Sequence, residues 1–164
     1  MQANKGFTLI ELMVAVAIAA IITAMAVPAS KRMQADSRMA SVANDLATAL
    51  KESRSEAVLK RRNVNFNPNT GSWNNGWTAI PQGQTASIAS KVDMPAGVVI
   101  STTYSGFIFN GISGQVLQTD NTPLDMTFKI CNNSLSGERG YDISLNRFGR
   151  VVVMRHANSS LCGV

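Results

Sequence analysis

The sequence predicts an α+β chain: one long N-terminal helix, a membrane half followed by an amphipathic half, packed on a C-terminal antiparallel β-sheet domain. Three observations predict it. The stretch from Phe7 to Val27 holds one ionisable group, Glu11, and no proline, which is about the 20 residues a helix needs to cross a hydrocarbon core. Beyond Pro28, the residues Met39, Val42, Ala43, Leu46, Ala49, Leu50 and Ala57 recur at three- and four-residue steps, the spacing of a helix with one apolar stripe. After Arg62 the texture changes to short β-like pieces divided by Asn, Gly and Pro turns, as in a sheet domain.

Glu11 is the oddity of the first segment. A carboxylate this deep in an apolar run is expensive and calls for a partner. A cut after Gly6 would supply one, because the new α-amino group of Phe7 can neutralise Glu11 of the same or a neighbouring subunit. An ordinary secretory signal peptide would instead place its small-residue cleavage site after the apolar run. Ala24-Met25-Ala26 imitates such a site, but the polar Gly-Phe-Thr junction lies before the run.

Lys5-Gly6-Phe7-Thr8-Leu9-Ile10-Glu11-Leu12-Met13 resembles the class III leader of type IV pilins and type II secretion pseudopilins. The resemblance implies that an inner-membrane prepilin peptidase cuts after Gly6 and methylates Phe7, and that Glu11 registers subunits during assembly. It further implies a single-pass inner-membrane protein with a periplasmic C-terminal domain, which leaves the membrane for a pilus or pseudopilus. Lys31, Arg32 and Arg38 just beyond the span would read as cytoplasmic by a positive-inside count, so the orientation rests on the resemblance. Export to an oxidising compartment would make Cys131 and Cys162, the two cysteines of the chain, a disulfide.

The second half of the helix is expected to reach about Leu59, with Pro28 bending it rather than ending it. Arg38, Asp45, Lys51, Glu52 and Arg54 lie on the face opposite the stripe. From Phe7 the whole helix would be about 80 Å long at 1.5 Å per residue. Lys60-Arg61-Arg62 closes it, and cations there are favourable to the helix dipole without any ligand. The boundaries expected are 1–6 for the leader, 7–29 for the membrane and filament-core helix, 30–62 for the amphipathic helix and 63–164 for the β domain. Within that domain Val64-Asn65-Phe66, Trp77 to Ile80, Val98 to Thr102, Phe107 to Phe109, Met126 to Ile130, Tyr141 to Leu145 and Arg150 to Arg155 are expected as strands. Asn75-Gly76 between Trp73 and Trp77 signals a hairpin turn, and residues 82–96 are expected as a loop.

Arg54-Ser55-Glu56-Ala57 at the helix end, a Gly-Trp strand, a Phe109-Asn110-Gly111 turn and a final Gly149-Arg150 hairpin are similar to the GspH/FimT group of minor pilins. In that group the globular part is a β-sandwich-like pair of sheets leaning on the helix. Its members serve as type II secretion pseudopilins, as pilus-priming minor pilins, and as DNA-binding minor pilins in natural transformation.

Chemistry is poorly supported by the residues. His156 is the single histidine, with no acid following Asp142, whereas a triad or metal centre needs converging His, Cys, Asp or Glu. A phosphate-cradling glycine loop is missing too. The expectation is a protein with no enzyme activity, no cofactor and no metal. Two functions remain. One is a structural subunit that primes or caps a type IV pilus beside other minor and major pilins, with a minor pseudopilin of a type II secretion system as the alternative. The other is a module on such a fibre that binds double-stranded DNA without sequence preference. The DNA-binding members carry Gly-Arg-x-Arg, and here Gly149-Arg150-Val151-Val152 lacks the second arginine. Candidate DNA contacts are Arg147, Arg150, Arg155, Lys60, Arg61 and Arg62. The net charge of +5 permits an anionic partner without demanding one.

Overall fold

The computed structural model describes residues 7–132 and 140–156, with nothing described of the side chains of 25–29. The leader with Gly6, the 133–139 connection and the tail with Cys162 lie outside the described residues. Among the described residues, one α-helix, α1 (Leu9–Lys60), is followed by nine strands and two short 3-10 turns. The chain divides into two compact units, Met1–Gln34 and Ala35–Val164.

In the first unit Thr8 caps the start of α1, its hydroxyl accepting the backbone N–H of Glu11 at 3.3 Å. Thr8-x-x-Glu11 is the pattern of a capping box, and it places the carboxylate in the first turn where the dipole favours it. From there the apolar side chains have no partner within the unit. Leu9, Ile10, Leu12, Met13, Val14, Val16, Ile18, Ile21 and Ile22 are all between 52% and 76% exposed. Among the described residues no helix is long and apolar enough to cross a membrane. The predicted span closes at Met25-Ala26-Val27, whose side chains lie outside the described residues.

In the second unit the same helix behaves as its periodicity predicts. Met39, Val42, Leu46, Leu50 and Ala57 are at most 1% exposed. Ser53, the buried polar residue in this row, donates to the Ala49 carbonyl at 2.6 Å and so leaves no hydroxyl unpaired. Strands β1 (Val64–Pro68), β2 (Trp77–Pro81), β3 (Ala89–Lys91), β5 (Phe107–Phe109) and β6 (Val116–Leu117) form one antiparallel sheet in the order β3-β2-β1-β5-β6. Strands β4 (Val98–Ser101), β7 (Met126–Asn132), β8 (Gly140–Leu145) and β9 (Val151–His156) form the other, in the order β4-β7-β8-β9. Helix and sheets share one core. Phe66 stacks on Phe107 with centroids 5.2 Å apart, and Trp73 meets Phe128 of the second sheet edge-on at 5.0 Å.

Two expectations are corrected. Asn75-Gly76 is not a tight hairpin turn. β1 and β2 do pair, out to Pro68 opposite Trp77, but residues 69–76 between them form two short 3-10 turns. The connection is drawn inward because the Trp73 indole donates to the Tyr104 carbonyl at 2.7 Å and its ring enters the core. Gly76 has φ +91, and a methyl group there would sit 1.8 Å from the Lys91 carbonyl oxygen. The glycine serves a close approach, not a turn. Nor is 82–96 entirely loop, because β3 pairs there with the edge of β2. β6, two residues long, carries too little pattern to be read from sequence.

Candidate functional site

The helix end is built by its own sequence. Arg61 takes the left-handed conformation (φ +50). Its N–H donates to the Val58 carbonyl at 3.3 Å, while the Arg62 N–H reaches back to Ala57 at 3.0 Å. This pair of bonds is a Schellman cap, here with arginine where glycine is usual. Lys60, Arg61 and Arg62 therefore leave the helix at a defined angle, all exposed.

Two turns close on this end. Asn146 accepts at its side-chain oxygen from the N–H groups of Phe148 at 3.1 Å and Arg150 at 2.9 Å. Asn110 does the same for Ile112 at 2.8 Å and Ser113 at 2.9 Å. Arg54 lies under both turns. Its Nε donates to the Gly114 carbonyl at 3.1 Å, and a methyl group on Gly149 (φ +76) would lie 2.2 Å from that nitrogen. A methyl on Gly111 would lie 2.3 Å from the backbone nitrogen of Arg62. Arg54, read from sequence as part of the solvated face, is half-buried and organises the region. Its signal was the pair of Asn-x-apolar turns, Asn110-Gly111-Ile112 and Asn146-Arg147-Phe148, each followed shortly by a glycine.

The candidate cations fall into two groups. Arg147 is bound to Asp125: its backbone N–H donates to one carboxylate oxygen at 2.7 Å and its Nε to the other at 2.9 Å. The Arg147 side-chain hydrogen bond, then its backbone N–H, hold the Asp125 carboxyl below its ordinary range, and Asp125 in turn raises Arg147. Arg155 pairs with Asp36 of α1 and lies 5.8 Å over the Tyr141 ring. Lys91, on β3, reaches Asp45 of α1 at 2.8 Å. Among the described residues, Lys60, Arg61, Arg62 and Arg150 have no carboxylate partner. Arg150 follows Gly149 and Arg62 backs onto Gly111, so these cations border the surface formed by the two turns and the helix end.

His156 differs from the sequence reading. Pairing of β8 with β9 brings its Nε2 within 2.6 Å of Asp142. The ring N–H is not aligned on the carboxylate, so the contact is an ion pair for a protonated ring and not a directed hydrogen bond. Among the described residues no three His, Cys, Asp or Glu gather as metal ligands. Cys131 is buried on β7 and is not a free thiol. At the N-terminus Phe7 is 81% exposed just ahead of the helix, and Glu11 is exposed on its first turn.

Comparison with known proteins bears on both ends. The family model described as type II transport protein GspH matches residues 42–149. The chain belongs to the GspH family. A second model, the prokaryotic N-terminal methylation motif, matches residues 1–27 of this GspH-family chain. A fimbrial protein of Neisseria meningitidis is 32% identical over 118 residues, 70% of the chain and 64% of that protein. A type IV major pilin protein of Neisseria gonorrhoeae is 33% identical over 119 residues, 70% of the chain and 66% of that protein. The chain thus spans just under two thirds of the length of these curated relatives. Among solved structures, the type IV minor pilin FimU of Pseudomonas aeruginosa (strain PAO1) superposes with a TM-score of 0.58, at 23% identity, over 73% of this chain and 90% of that one. The minor pseudopilin EpsH from the type 2 secretion system of Vibrio cholerae gives 0.54 at 11% identity, over 71% and 96%. At these identities the likeness concerns the fold. The fold is that of a type IV pilin-like protein, a long N-terminal helix on antiparallel sheets.

Proposed function

We propose that this chain is a structural subunit, a minor pilin that primes or caps a type IV pilus, with a minor pseudopilin of a type II secretion system as the alternative role. The observation that carries the reading is the first half of α1. Its apolar side chains face solvent all round in the single chain, and a helix that is hydrophobic on every side needs burial in lipid or among other helices. The methylation-motif match supports processing between Gly6 and Phe7 by a prepilin peptidase. Processing would leave the Phe7 amine four residues from Glu11, close enough to neutralise it here or in a neighbouring subunit. In this reading the subunit waits in the inner membrane with its globular part in the periplasm, where Cys131 and Cys162 would be bridged, and then joins other pilins in the fibre. It has no catalytic role. Binding of duplex DNA for transformation has narrower support, because Arg147 and Arg155 already hold carboxylates and Lys60, Arg61, Arg62 and Arg150 are left to serve it.

Mass spectrometry of the mature chain tests the proposal: it should begin at methylated Phe7, and any other N-terminus overturns it. Glu11→Ala should enter the membrane at least as well as the parent, since a buried charge has been removed, yet fail to join the fibre.

A further inference from the structure

Most large apolar residues of the globular part are buried; Leu59, Val92, Ile112 and Phe148 are the ones more than 60% exposed among its described residues, and two of these stand on neighbouring turns. Phe66, Phe107, Phe109 and Phe128 are at most 1% exposed, whereas Phe148 is 63% and Ile112 88% exposed. Each stands at the tip of an asparagine-anchored turn, fixed by the Asn146 and Asn110 bonds described above. The turns abut, since a methyl on Gly149 would lie 2.9 Å from the Gly114 carbonyl oxygen. Val58, 42% exposed, joins them from α1: a methyl on Gly114 would meet its Cγ2 at 2.9 Å. Three exposed apolar residues thus stand on three adjoining segments, on backbone fixed by the hydrogen bonds above, so a partner would pay little ordering entropy to use them. Arg61, Arg62 and Arg150 border it without carboxylates of their own.

We propose that Val58, Ile112 and Phe148, rimmed by Arg61, Arg62 and Arg150, dock a different subunit of the fibre whose contact surface is apolar at its centre and carboxylate-bearing at its rim. The inference rests on the assembly reading and names its partner's chemistry. Charge complementarity decides the occupant. Arg147, beside Phe148, and Arg155 and Lys91 farther off each hold an aspartate, whereas Arg61, Arg62 and Arg150 hold none among the described residues and leave that carboxylate for a partner to supply. A second copy docking through this same face is the wrong occupant, because it would bring the same cations to the same rim, and juxtaposed like charges oppose docking. Duplex DNA would satisfy the arginines through phosphates but leave the apolar tips unused.

The test uses the full chain in cells that assemble the fibre, with a photoreactive phenylalanine analogue at position 112 or 148 and, as a control, at exposed Val92. Positions 112 and 148 should each give one adduct, mapped by peptide mass spectrometry to another fibre subunit at apolar residues flanked by Asp or Glu; Val92 should not give it. Arg61→Glu combined with Arg62→Glu and Arg150→Glu should lower the adduct yield about tenfold or more, with membrane abundance of the chain unchanged. The proposal is overturned by no adduct at either tip, an adduct to DNA or to a second copy, a mapped surface without carboxylates, or a yield indifferent to charge reversal. If abundance falls with charge reversal, Arg150→Gln alone replaces it and must still reduce the yield. Loss of assembly in Glu11→Ala is read separately. An assembly defect without adducts removes the docking surface alone, while intact assembly of Glu11→Ala removes the reading beneath it.

Discussion

Single residues decide how this domain presents its charge. Arg147 stands out in the sequence as a cation in an acid-free stretch, but Asp125 folds back to take both its backbone and its side chain. What could not be read was which carboxylate would come to which cation. Arg155 and Asp36 are 119 positions apart, and only the folded chain brings them together. Arg54 was equally illegible, because helix periodicity assigns a face and cannot show that two turns will settle on it. The Asp125 pair makes a testable statement about acid. Its carboxyl is held low in the folded state by Arg147, so its contribution is present above the unfolded carboxylate value near pH 4 and is lost as pH falls through the lower folded value. Asp125→Asn should therefore lie below the parent in thermal stability at neutral pH and converge with it toward pH 3. Melting curves from pH 7 to pH 3 check this; a constant gap across the range would mean that the geometry of the turn, not its charge, is what the substitution disturbs. Both groups are exposed, so the gap should also shrink in high salt.

At the scale of elements the sequence was most legible where one period runs long. The stripe from Met39 to Ala57 spans five turns, and the structure buries it as one row. Strands β7 and β8 alternate clearly and were found within a residue or two of their ends. β3 and β6 are short edge pieces whose existence depends on a neighbour, and the Asn75-Gly76 signal lost to the burial of Trp73, worth far more than a preferred turn. The helix end offers a measurement. Arg61 holds a left-handed conformation that strains any residue with a Cβ. Arg61→Gly should raise the domain's unfolding free energy by about 0.5–1 kcal/mol, read as a higher denaturant midpoint at unchanged slope. A lower midpoint would mean that a cation at the negative end of α1 outweighs the relief of strain. The tail is a second case. Joining Cys131 to Cys162, as we propose, closes a loop of about thirty residues and should contribute roughly 3–4 kcal/mol by constraining the unfolded chain. Thiol titration of the denatured, unreduced protein should find none, and two titratable thiols would remove the bridge.

At the scale of the whole molecule, charge and apolar surface separate into two regions with different demands. The first half of α1 carries bare apolar side chains and asks for lipid or other helices. In the globular part Lys91, Arg147 and Arg155 each hold an aspartate, whereas the candidate DNA contacts Lys60, Arg61, Arg62 and Arg150 hold none among the described residues. This distribution sets a ceiling on nucleic-acid binding. If a duplex uses only Lys60, Arg61, Arg62 and Arg150, about four phosphates are neutralised, and the slope of log affinity against log salt is about −3.6. Raising salt from 50 to 200 mM should then weaken binding by roughly a hundredfold, from a starting affinity in the non-specific range. The expected gel shift of the full chain in detergent is weak at low salt, indifferent to sequence and gone at 200 mM. Arg150→Ala and Arg61→Ala should each flatten the slope by about one, Arg155→Ala should change it little because Asp36 already holds that side chain, and Phe148→Ser should leave it alone. A shift that survives 200 mM, or that falls with Phe148→Ser, would require more contacts than these four cations provide. It would move the helix-end surface from docking a subunit to holding DNA. No shift at low salt with protein at tens of micromolar would leave assembly as the function of both regions.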